Sequence, residues 1–340
     1  MTRYLITGGA GFIGSHLVEA LLGRGDEVSV LDSLYTGRLS NLSRVMNEPR
    51  MQFTQGSVLD ELAVDEAVRG SDVVVHLAAA VGVKLIVEQP LYSLTTNIKG
   101  AIAVLEAAHR YRRKVMVASS SEIYGKNNAD RLTEQADRIL GSPAVARWAY
   151  STSKAVDEIL SYAYHREREL PTIVVRLFNT VGPRQSPAYG MVIPRLVRQA
   201  LRGEPLTVYG DGSQTRCFCH VADVVDALVR LLDEPSAIGD VFNVGSSHEI
   251  SIKELAQFIV ERTSSSSQIV QLPYDVAYEV GFEDMARRVP DTAKVANLTG
   301  WRATRSVGEI LDDVIAEVRS ESSDDSGSVQ ERFAEGADRG

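Results

Sequence analysis

Arg3-Tyr-Leu-Ile-Thr-Gly-Gly-Ala-Gly-Phe-Ile-Gly-Ser-His16 is the stretch that decides the fold of this chain. The short apolar run at its start, Tyr4 to Ile6, has the length and composition of a buried parallel strand. Spaced glycines follow that run, and from Phe12 onwards the apolar residues recur at helical spacing. The stretch therefore predicts a strand, a tight glycine turn and a helix N-terminus, in that order.

The glycines suit a turn that meets a phosphate. Gly8 can adopt backbone angles closed to other residues, Gly11 lets a pyrophosphate approach the main chain, and Gly14 lets the helix pack closely on the strand. The free amides and the positive end of the helix dipole would then face the phosphates. Ordinary strand-to-helix turns also use glycine, so the three residues alone are weak evidence.

A second predicted strand strengthens that interpretation. It runs from Glu27 to Leu31 and ends in Asp32, about twenty residues after the glycine turn, where an acidic group can hold a ribose diol. Together the two features predict a dinucleotide site. Asp32 favours NAD over NADP because a carboxylate repels a 2′-phosphate, although Arg38 nearby leaves NADP open.

Strands and helices alternate from residue 1 to about residue 123. The predicted strands are Tyr4 to Thr7, Glu27 to Leu31, Met51 to Gln55, Asp72 to Leu77 and Lys114 to Ala118, with helices near Phe12 to Gly23, Glu61 to Val68 and Leu94 to Tyr111. Parallel strands joined by helical crossovers form a doubly wound sheet. We therefore expect an α/β protein with a Rossmann-type sheet, whose ligands lie at the carboxyl ends of the strands.

The second half of the chain changes character. Gly210-Asp-Gly212 is typical of a hairpin turn, joining strands at Leu206 to Tyr209 and Gln214 to Val221. We expect residues 1–175 to form the dinucleotide-binding domain and residues 176–319 a smaller mixed α/β substrate lobe, partly interleaved with the first. Residues 320–340 are rich in Glu, Ser, Asp and Gly without periodicity, which predicts a disordered tail.

Composition excludes several classes of protein. The net charge of −9 argues against a nucleic-acid binder, whose footprint would be basic. Cys217 and Cys219 are too close for a disulfide framework or a zinc set, so we expect buried thiols and no metal. No apolar run is long enough to span a membrane, and no signal peptide is evident. The prediction is a cytoplasmic protein.

Tyr150 and Lys154 form a candidate catalytic pair. They are four residues apart on a predicted helix, so they share one face. A phenol is a poor base at neutral pH, but a nearby ammonium stabilises the phenolate. The chain has twelve tyrosines, so this spacing can arise by chance. The Ser-rich strand end at residues 119–121 adds weight because it supplies a hydroxyl to share the proton.

Arginines in the second half are candidates for binding phosphate. They are Arg184, Arg216, Arg287 and Arg288, in a chain that is acidic as a whole. Arginine binds phosphate through bidentate hydrogen bonds, so a converging set would suit a nucleotide diphosphate. Separate surface ion pairs would explain the same residues equally well.

Three motifs together resemble a known family. Thr7-Gly-Gly-Ala-Gly-Phe-Ile-Gly14, Tyr150-x-x-x-Lys154 and Arg176-Leu-Phe-Asn-Thr-Val-Gly-Pro-Arg184 are similar to the extended short-chain dehydrogenase/reductases that act on nucleotide sugars. That group includes UDP-glucose and UDP-glucuronate 4-epimerases, UDP-glucuronate decarboxylases and sugar-nucleotide 4,6-dehydratases. The resemblance covers about residues 3–318 and implies bound NAD and a UDP-sugar substrate.

The resemblance also implies a role for each matching residue. NAD would be bound by Gly8, Gly11, Phe12, Ile13, Gly14, Asp32, Ser57, Val58, Leu77, Ala78, Ala79, Asn97, Tyr150 and Lys154. The sugar nucleotide would be bound by Val83, Ser121, Phe178, Asn179, Arg184, Val208, Tyr209, Arg216, Arg288 and Asp291. Catalysis would depend on Tyr150, Lys154, Ser120 and Glu122. Tyr150, assisted by Ser120, would take the proton of the sugar 4-hydroxyl while hydride passes to NAD, giving a 4-keto sugar.

The fate of that keto sugar is where the motifs diverge. Ser121-Glu122 stands where dehydratases have an Asp-Glu pair, and it resembles the decarboxylases instead. The stretch Ala78 to Lys84 is more similar to the epimerases, and Glu122 would repel a substrate carboxylate unless it is protonated or turned away. The leading interpretation is a 4-epimerase of UDP-glucose or UDP-glucuronate. A UDP-glucuronate decarboxylase is the alternative, ahead of a dehydratase or a non-catalytic NAD-binding regulator.

The family often forms dimers through a bundle of two helices from each subunit. The apolar faces of Leu94 to Tyr111 and Val156 to Tyr164 fit such a homodimer, although packing against the core of the same chain would explain them too.

Overall fold

The computed structural model describes residues 1–186, 191–273 and 287–321. The strands are β1 Arg3–Thr7, β2 Glu27–Asp32, β3 Met51–Gln55, β4 Val73–His76, β5 Lys114–Ser120, β6 Thr172–Leu177, β7 Thr180–Val181, β8 Leu206–Tyr209, β9 Thr215–Cys217, β10 Cys219–His220, β11 Asp240–Val244, β12 Glu249–Ser251 and β13 Ile269–Leu272. The helices are α1 Phe12–Gly23, α2 Glu61–Arg69, α3 Val83–Glu88, α4 Pro90–Tyr111, α5 Arg147–Arg168, α6 Val192–Leu201, α7 Val221–Asp233 and α8 Ile252–Thr263, followed by Ala293–Thr299 and by 307–321.

Seven of these strands form one parallel sheet in the order β11-β6-β5-β4-β1-β2-β3. The chain leaves β1 in one direction towards β2 and β3, then returns to the other side of β1 with β4. In such a sheet a crevice opens where the strand order reverses, here between β1 and β4. The predicted α/β class and Rossmann-type sheet are confirmed.

Alternating side chains of each strand bury against helices on opposite faces of the sheet. In β1, Tyr4 and Ile6 pack in the cluster that also holds Leu17 of α1 and Leu228 of α7. Leu5, between them, packs on the other face with residues of α2 and α4. Because both faces are covered, the central strands β1 and β4 are buried along almost their whole length, and this explains why short apolar runs were sufficient to find them.

The second half of the chain builds a smaller layer beside the sheet. Its strands pair two by two, β7 with β10, β8 with β13 and β9 with β12, around a separate apolar core formed by α6, α8 and the helix 307–321. One of its strands, β11, instead joins the large sheet next to β6. β6 runs across the predicted boundary at residues 175 and 176, and the division into a dinucleotide-binding domain and a substrate lobe stays a prediction.

Several predicted details were wrong. The Gly210–Gly212 turn does not make a hairpin, since β8 pairs in parallel with β13 and β9 pairs with β12. The helix predicted from Leu94 begins at Pro90, which has no amide hydrogen to lose at a first helical position. The last helix continues to residue 321, two residues into the predicted tail, and the rest of that tail lies outside the described residues. Cys217 and Cys219 are free and buried, as expected, but lie in two different strands.

Candidate active site

A cavity of about 910 Å³ lies at the carboxyl ends of the central strands. It extends from the glycine turn after β1, past the ends of β4 and β5, to α6 and the helix 307–321. Nine Lys or Arg side chains and four carboxylates line it, in a chain whose net charge is −9. The cavity is thus a basic region of an acidic protein and is suited to anionic ligands.

The glycine turn brings main chain close to main chain at one end of the cavity. Gly8 has φ +75°, and a Cβ there would lie 2.8 Å from the amide nitrogen of Ala78. A Cβ on Gly14 would lie 2.8 Å from the Cα of Gly9 and closer still to the carbonyl oxygen of Gly8. Gly11 is the N-cap of α1 and has no side chain to cap it, which leaves the helix amides open to a ligand.

Asp32 stands at the end of β2 and holds the turn in shape. Its carboxylate accepts hydrogen bonds from the amides of Ala10, at 2.9 Å, and Leu34, at 2.8 Å. Burial raises the pKa of Asp32, and these backbone amides oppose the rise. Asp32 lines the cavity beside the glycine turn, where a ribose would follow a diphosphate held there.

The other predicted cofactor residues divide into two groups. Those that line the cavity are Phe12, Ile13, Ser57, Val58, Leu77, Ala78 and Ala79. Asn97 does not line it, because its buried amide accepts from the amide of Ala80 at 2.8 Å and donates to Ser153 at 3.0 Å. Asn97 therefore ties the turn after β4 to α5, the helix that carries the candidate catalytic pair.

Tyr150 and Lys154 share the inner face of α5, and both line the cavity. The Lys154 ammonium is buried and donates to the carbonyl oxygen of Ala118 at 2.9 Å. Tyr150 is hydrogen-bonded to Ser120, at the end of β5. The structure therefore brings the predicted phenol, ammonium and hydroxyl together.

The electrostatics of Tyr150 differ from the expectation. Burial raises its pKa, and the net shift is upward although the Lys154 ammonium and the hydrogen bond from Ser120 lower the pKa. The negative charges of Glu122 and Asp157 raise the pKa further. The sequence identified the group that stabilises the phenolate but could not show how much burial opposes it.

Glu122 lies beside this centre and faces a group of arginines. It accepts from Arg288 at 2.8 Å and forms an ion pair of 3.4 Å with Arg147. Burial raises the pKa of Glu122, but the charges of Arg288, Arg147 and Arg216 outweigh it, and the pKa falls below its usual range. Glu122 is thus an ionised carboxylate whose charge is compensated by its neighbours.

Sequence reasoning missed Arg147. It lies one helical turn before Tyr150, so the two side chains occupy the same face of α5. Its side chain is 7% exposed and lines the cavity. The spacing was visible in the sequence, but an arginine one turn from a tyrosine is common on helices and did not point to the site.

The predicted substrate residues are only partly brought together. Those that line the cavity are Ser121, Asn179, Arg184, Tyr209, Arg216 and Arg288. Phe178 and Val208 are fully buried in the core, and the carboxylate of Asp291 accepts from the amide of Ala293 at 2.8 Å. None of these three lines the cavity, and the side chain of Val83 lies outside what the structure describes. Arg287 pairs with Glu249 on the surface, whereas Arg195, which was not predicted, lines the cavity and stacks on Tyr209.

A family model for NAD-dependent epimerases and dehydratases matches residues 4–245, which contain the glycine turn, Asp32 and the Tyr150 and Lys154 pair. The chain belongs to this family.

Relatives of this NAD-dependent epimerase/dehydratase family differ in the reaction they carry out. The chain is 43% identical over 298 residues to a UDP-N-acetyl-α-D-glucosaminuronate decarboxylase of Bacillus cytotoxicus, a match that covers 87% of this chain and 91% of the relative. It is 34% identical over 321 residues to UDP-glucuronic acid decarboxylase 1 of Arabidopsis thaliana, covering 94% of this chain and 70% of the relative.

Solved structures of epimerases are also similar. The UDP-glucose 4-epimerase of Thermotoga maritima, solved with UDP-glucose, has a TM-score of 0.84 at 30% identity, covering 94% of this chain and 99% of that one. The UDP-glucuronic acid 4-epimerase of Bacillus cereus, in complex with UDP-glucuronic acid and NAD, has a TM-score of 0.84 at 28% identity, with the same coverage.

The residues present fit the NAD on which this family depends. The close main-chain approach at Gly8 and Gly14 leaves space that a diphosphate can occupy, with open amides at the start of α1. Asp32 lies beside the glycine turn, where a ribose would follow the diphosphate, and Tyr150 and Lys154 line the same cavity. Within the described ranges, no helix has the length and apolarity needed to span a membrane.

Proposed function

We propose that this enzyme decarboxylates a UDP-hexuronate to a UDP-pentose by way of a 4-keto intermediate. The observation that carries the proposal is the arrangement around Glu122. From the sequence alone, Glu122 made a substrate with a carboxylate less favourable, because the negative charges of Glu122 and of that carboxylate would repel each other. In the structure its charge is compensated by Arg288 and Arg147, so the region beside Tyr150 is net positive.

The residues of the chain divide the work of the reaction. NAD, when bound, supplies the site that accepts the hydride of sugar carbon four and returns it. Tyr150 as phenolate takes the proton of the 4-hydroxyl, with Ser120 sharing it and Lys154 stabilising the negative charge. Arg147 and Arg288 bind the hexuronate carboxylate until it leaves.

A 4-keto hexuronate is a β-keto acid, and this makes loss of carbon dioxide the next step. The bond between carbons five and six breaks, its electrons move to the keto oxygen as an enolate, and carbon five then takes a proton from solvent. Tyr150 and Ser120 stabilise the enolate oxygen by hydrogen bonding. Return of the hydride to carbon four and of a proton from Tyr150 to its oxygen completes the UDP-pentose.

The decarboxylase relatives support this reaction, and they also suggest two candidate substrates. These are UDP-glucuronate and UDP-N-acetylglucosaminuronate, which differ only at carbon two of the sugar. The 4-epimerase, which was the leading interpretation of the sequence, stays the second candidate, since epimerase structures are similar over most of the chain.

The decisive experiment offers both hexuronates to the purified enzyme and follows product mass and the carbon-four signal by NMR. We expect loss of carbon dioxide and a UDP-pentose from one of them. A product of unchanged mass with inverted carbon four would refute decarboxylation and establish the epimerase. Tyr150→Phe should abolish either reaction and serves as the control for contaminating activity.

Two adjacent arginines provide a matched test of carboxylate binding. Arg288→Met removes a buried guanidinium at the site, and we expect kcat/KM to fall by about a hundredfold or more. Arg287→Met removes a surface guanidinium paired with Glu249, and we expect less than about a threefold change. Equal effects of the two variants would contradict the role given to Arg288.

The homodimer stays a prediction. α4 and α5 pack against each other, and they leave exposed apolar side chains at Leu91, Ile159 and Tyr162. Burial of these side chains between two copies would give the expected bundle. Sedimentation analysis would show a monomer if this is wrong.

A further inference from the structure

Lys154 is held by two acceptors deep in the protein. Its ammonium donates to the carbonyl oxygen of Ala118 at 2.9 Å and to the carboxylate of Asp157 at 3.0 Å. A lysine has three donor hydrogens, so one remains for the cavity. Asp157 lies one helical turn after Lys154 on α5 and is completely buried.

The two neighbouring carboxylates of α5 are in different electrostatic situations. Glu158 is paired with Arg176 through two hydrogen bonds, at 2.8 and 2.7 Å, so its charge is compensated. Asp157 pairs only with Lys154 among the described residues, and its second oxygen has no hydrogen-bond partner there. A buried carboxylate is costly unless it is paired, so Asp157 depends on Lys154 for its charge.

We propose that Asp157 is a positioning residue, which fixes the Lys154 ammonium and offsets its charge, and so sets the pH range in which Tyr150 acts as a base. It acts through Lys154 and does not line the cavity. The proposal holds for any reaction that begins with proton removal by Tyr150.

The charges around the pair determine the direction of the effect. Burial lowers the pKa of Lys154, but Asp157 and Tyr150 outweigh it, and the net change is upward. Burial raises the pKa of Tyr150; the Lys154 charge lowers it, and Asp157 is among the groups that raise it further. Removal of the Asp157 charge should therefore lower both pKa values.

Other groups on the packed elements do not replace Asp157. Glu122, after β5, is paired with arginines, and Glu158 with Arg176 of β6. His76 of β4 is fully buried, and burial lowers its pKa to about 3, so it is neutral at physiological pH. α4 presents the uncharged amide of Asn97. Asp157 is thus the carboxylate that contacts Lys154, and Glu158 acts on Lys154 more weakly and without contact.

The test is Asp157→Asn, which keeps the shape of the side chain and removes its charge. We expect both limbs of the pH profile of kcat to move to lower pH by about one unit. A second readout, the ultraviolet absorbance of phenolate as a function of pH, needs no substrate. The phenolate signal that is absent from Tyr150→Phe is that of Tyr150. In Asp157→Asn this signal should titrate at lower pH than in the wild type.

Two controls separate this role from a structural one. Asp157→Glu keeps the charge and should leave the pH profile near that of the wild type even if kcat falls. Asp26→Asn neutralises a buried carboxylate that is paired with Arg24, far from the cavity, and should leave the profile unchanged. If Asp157→Asn folds poorly, the smaller neutral Asp157→Ser should show the same shift. A folded neutral variant with an unshifted phenolate titration would refute the proposal, whatever the sugar reaction is.

Discussion

Gly14→Ala offers a sharp test of how the glycine turn works. The added methyl group would lie 2.8 Å from the Cα of Gly9 and 3.0 Å from the carbonyl carbon of Gly8, about 1 Å short of a normal carbon contact. All of these neighbours are main chain of the turn itself, so no side chain can move aside. The start of α1 must shift away from β1 by a comparable distance.

The cost of that shift can be bounded. Alanine is the better helix former by about 1 kcal/mol, whereas forcing a methyl group into a packed contact costs about 1–3 kcal/mol. We expect a net loss of stability together with at least about a tenfold weaker affinity for NAD, because the displaced amides no longer meet the diphosphate. Urea denaturation measures the first effect and titration calorimetry the second.

The same helix supplies the control. Gly23 is the last residue of α1, and a Cβ there would meet nothing within 4 Å. Gly23→Ala should therefore stabilise the protein by about 0.4–1 kcal/mol without changing the affinity for NAD. If Gly14→Ala is as stable as Gly23→Ala and binds NAD as tightly, close main-chain packing is not the reason for a glycine at residue 14.

Two further predictions concern stability. Glu158→Gln leaves the buried Arg176 guanidinium without its counter-charge and should lower the free energy of unfolding, measured by urea denaturation, by about 3–5 kcal/mol. Glu167→Gln, at an exposed pair with Arg166, should lower it by less than about 0.5 kcal/mol. Similar losses in the two variants would contradict this difference between buried and exposed pairs. His76 has a folded-state pKa of about 3, against about 6.5 when unfolded, so the unfolded state takes up the proton first as the pH falls. As the pH is lowered from about 6.5 to about 3, its contribution to the free energy of unfolding should therefore fall by about 1.4 kcal/mol per pH unit. His76→Asn should remove this part of the pH dependence of the free energy of unfolding.

The sequence was most informative where structure is local. The change of period at Phe12 and the end of β2 at Asp32 are properties of neighbouring residues, so the turn and its acidic partner could be located. Tyr150 and Lys154 could be placed on one face because a single helix sets their spacing.

Long-range pairing was less predictable. β8 pairs with β13, about sixty residues later, and a local turn residue such as Gly212 does not indicate which distant strand will pair. Arg287 and Arg288 are adjacent, and only tertiary packing directs one to the surface and the other into the cavity. The negative charge of Glu122 is compensated by arginines from three distant parts of the chain. This compensation is the reason why the proposed reaction is a decarboxylation and not an epimerisation.

The place of β11 in the large sheet limits how this protein can be re-engineered. An exchange of the predicted substrate lobe, residues 176–319, between relatives suggests a single crossover near residue 175, but such a chimera would place a foreign strand beside β6. The register from Ile173 with Asp240 to Leu177 with Val244, and the packing of Phe242 and Val244 in the core of the sheet, would all have to be recreated. A workable chimera therefore needs crossovers on both sides of residues 240–244, so that β11 and the large sheet come from the same parent protein.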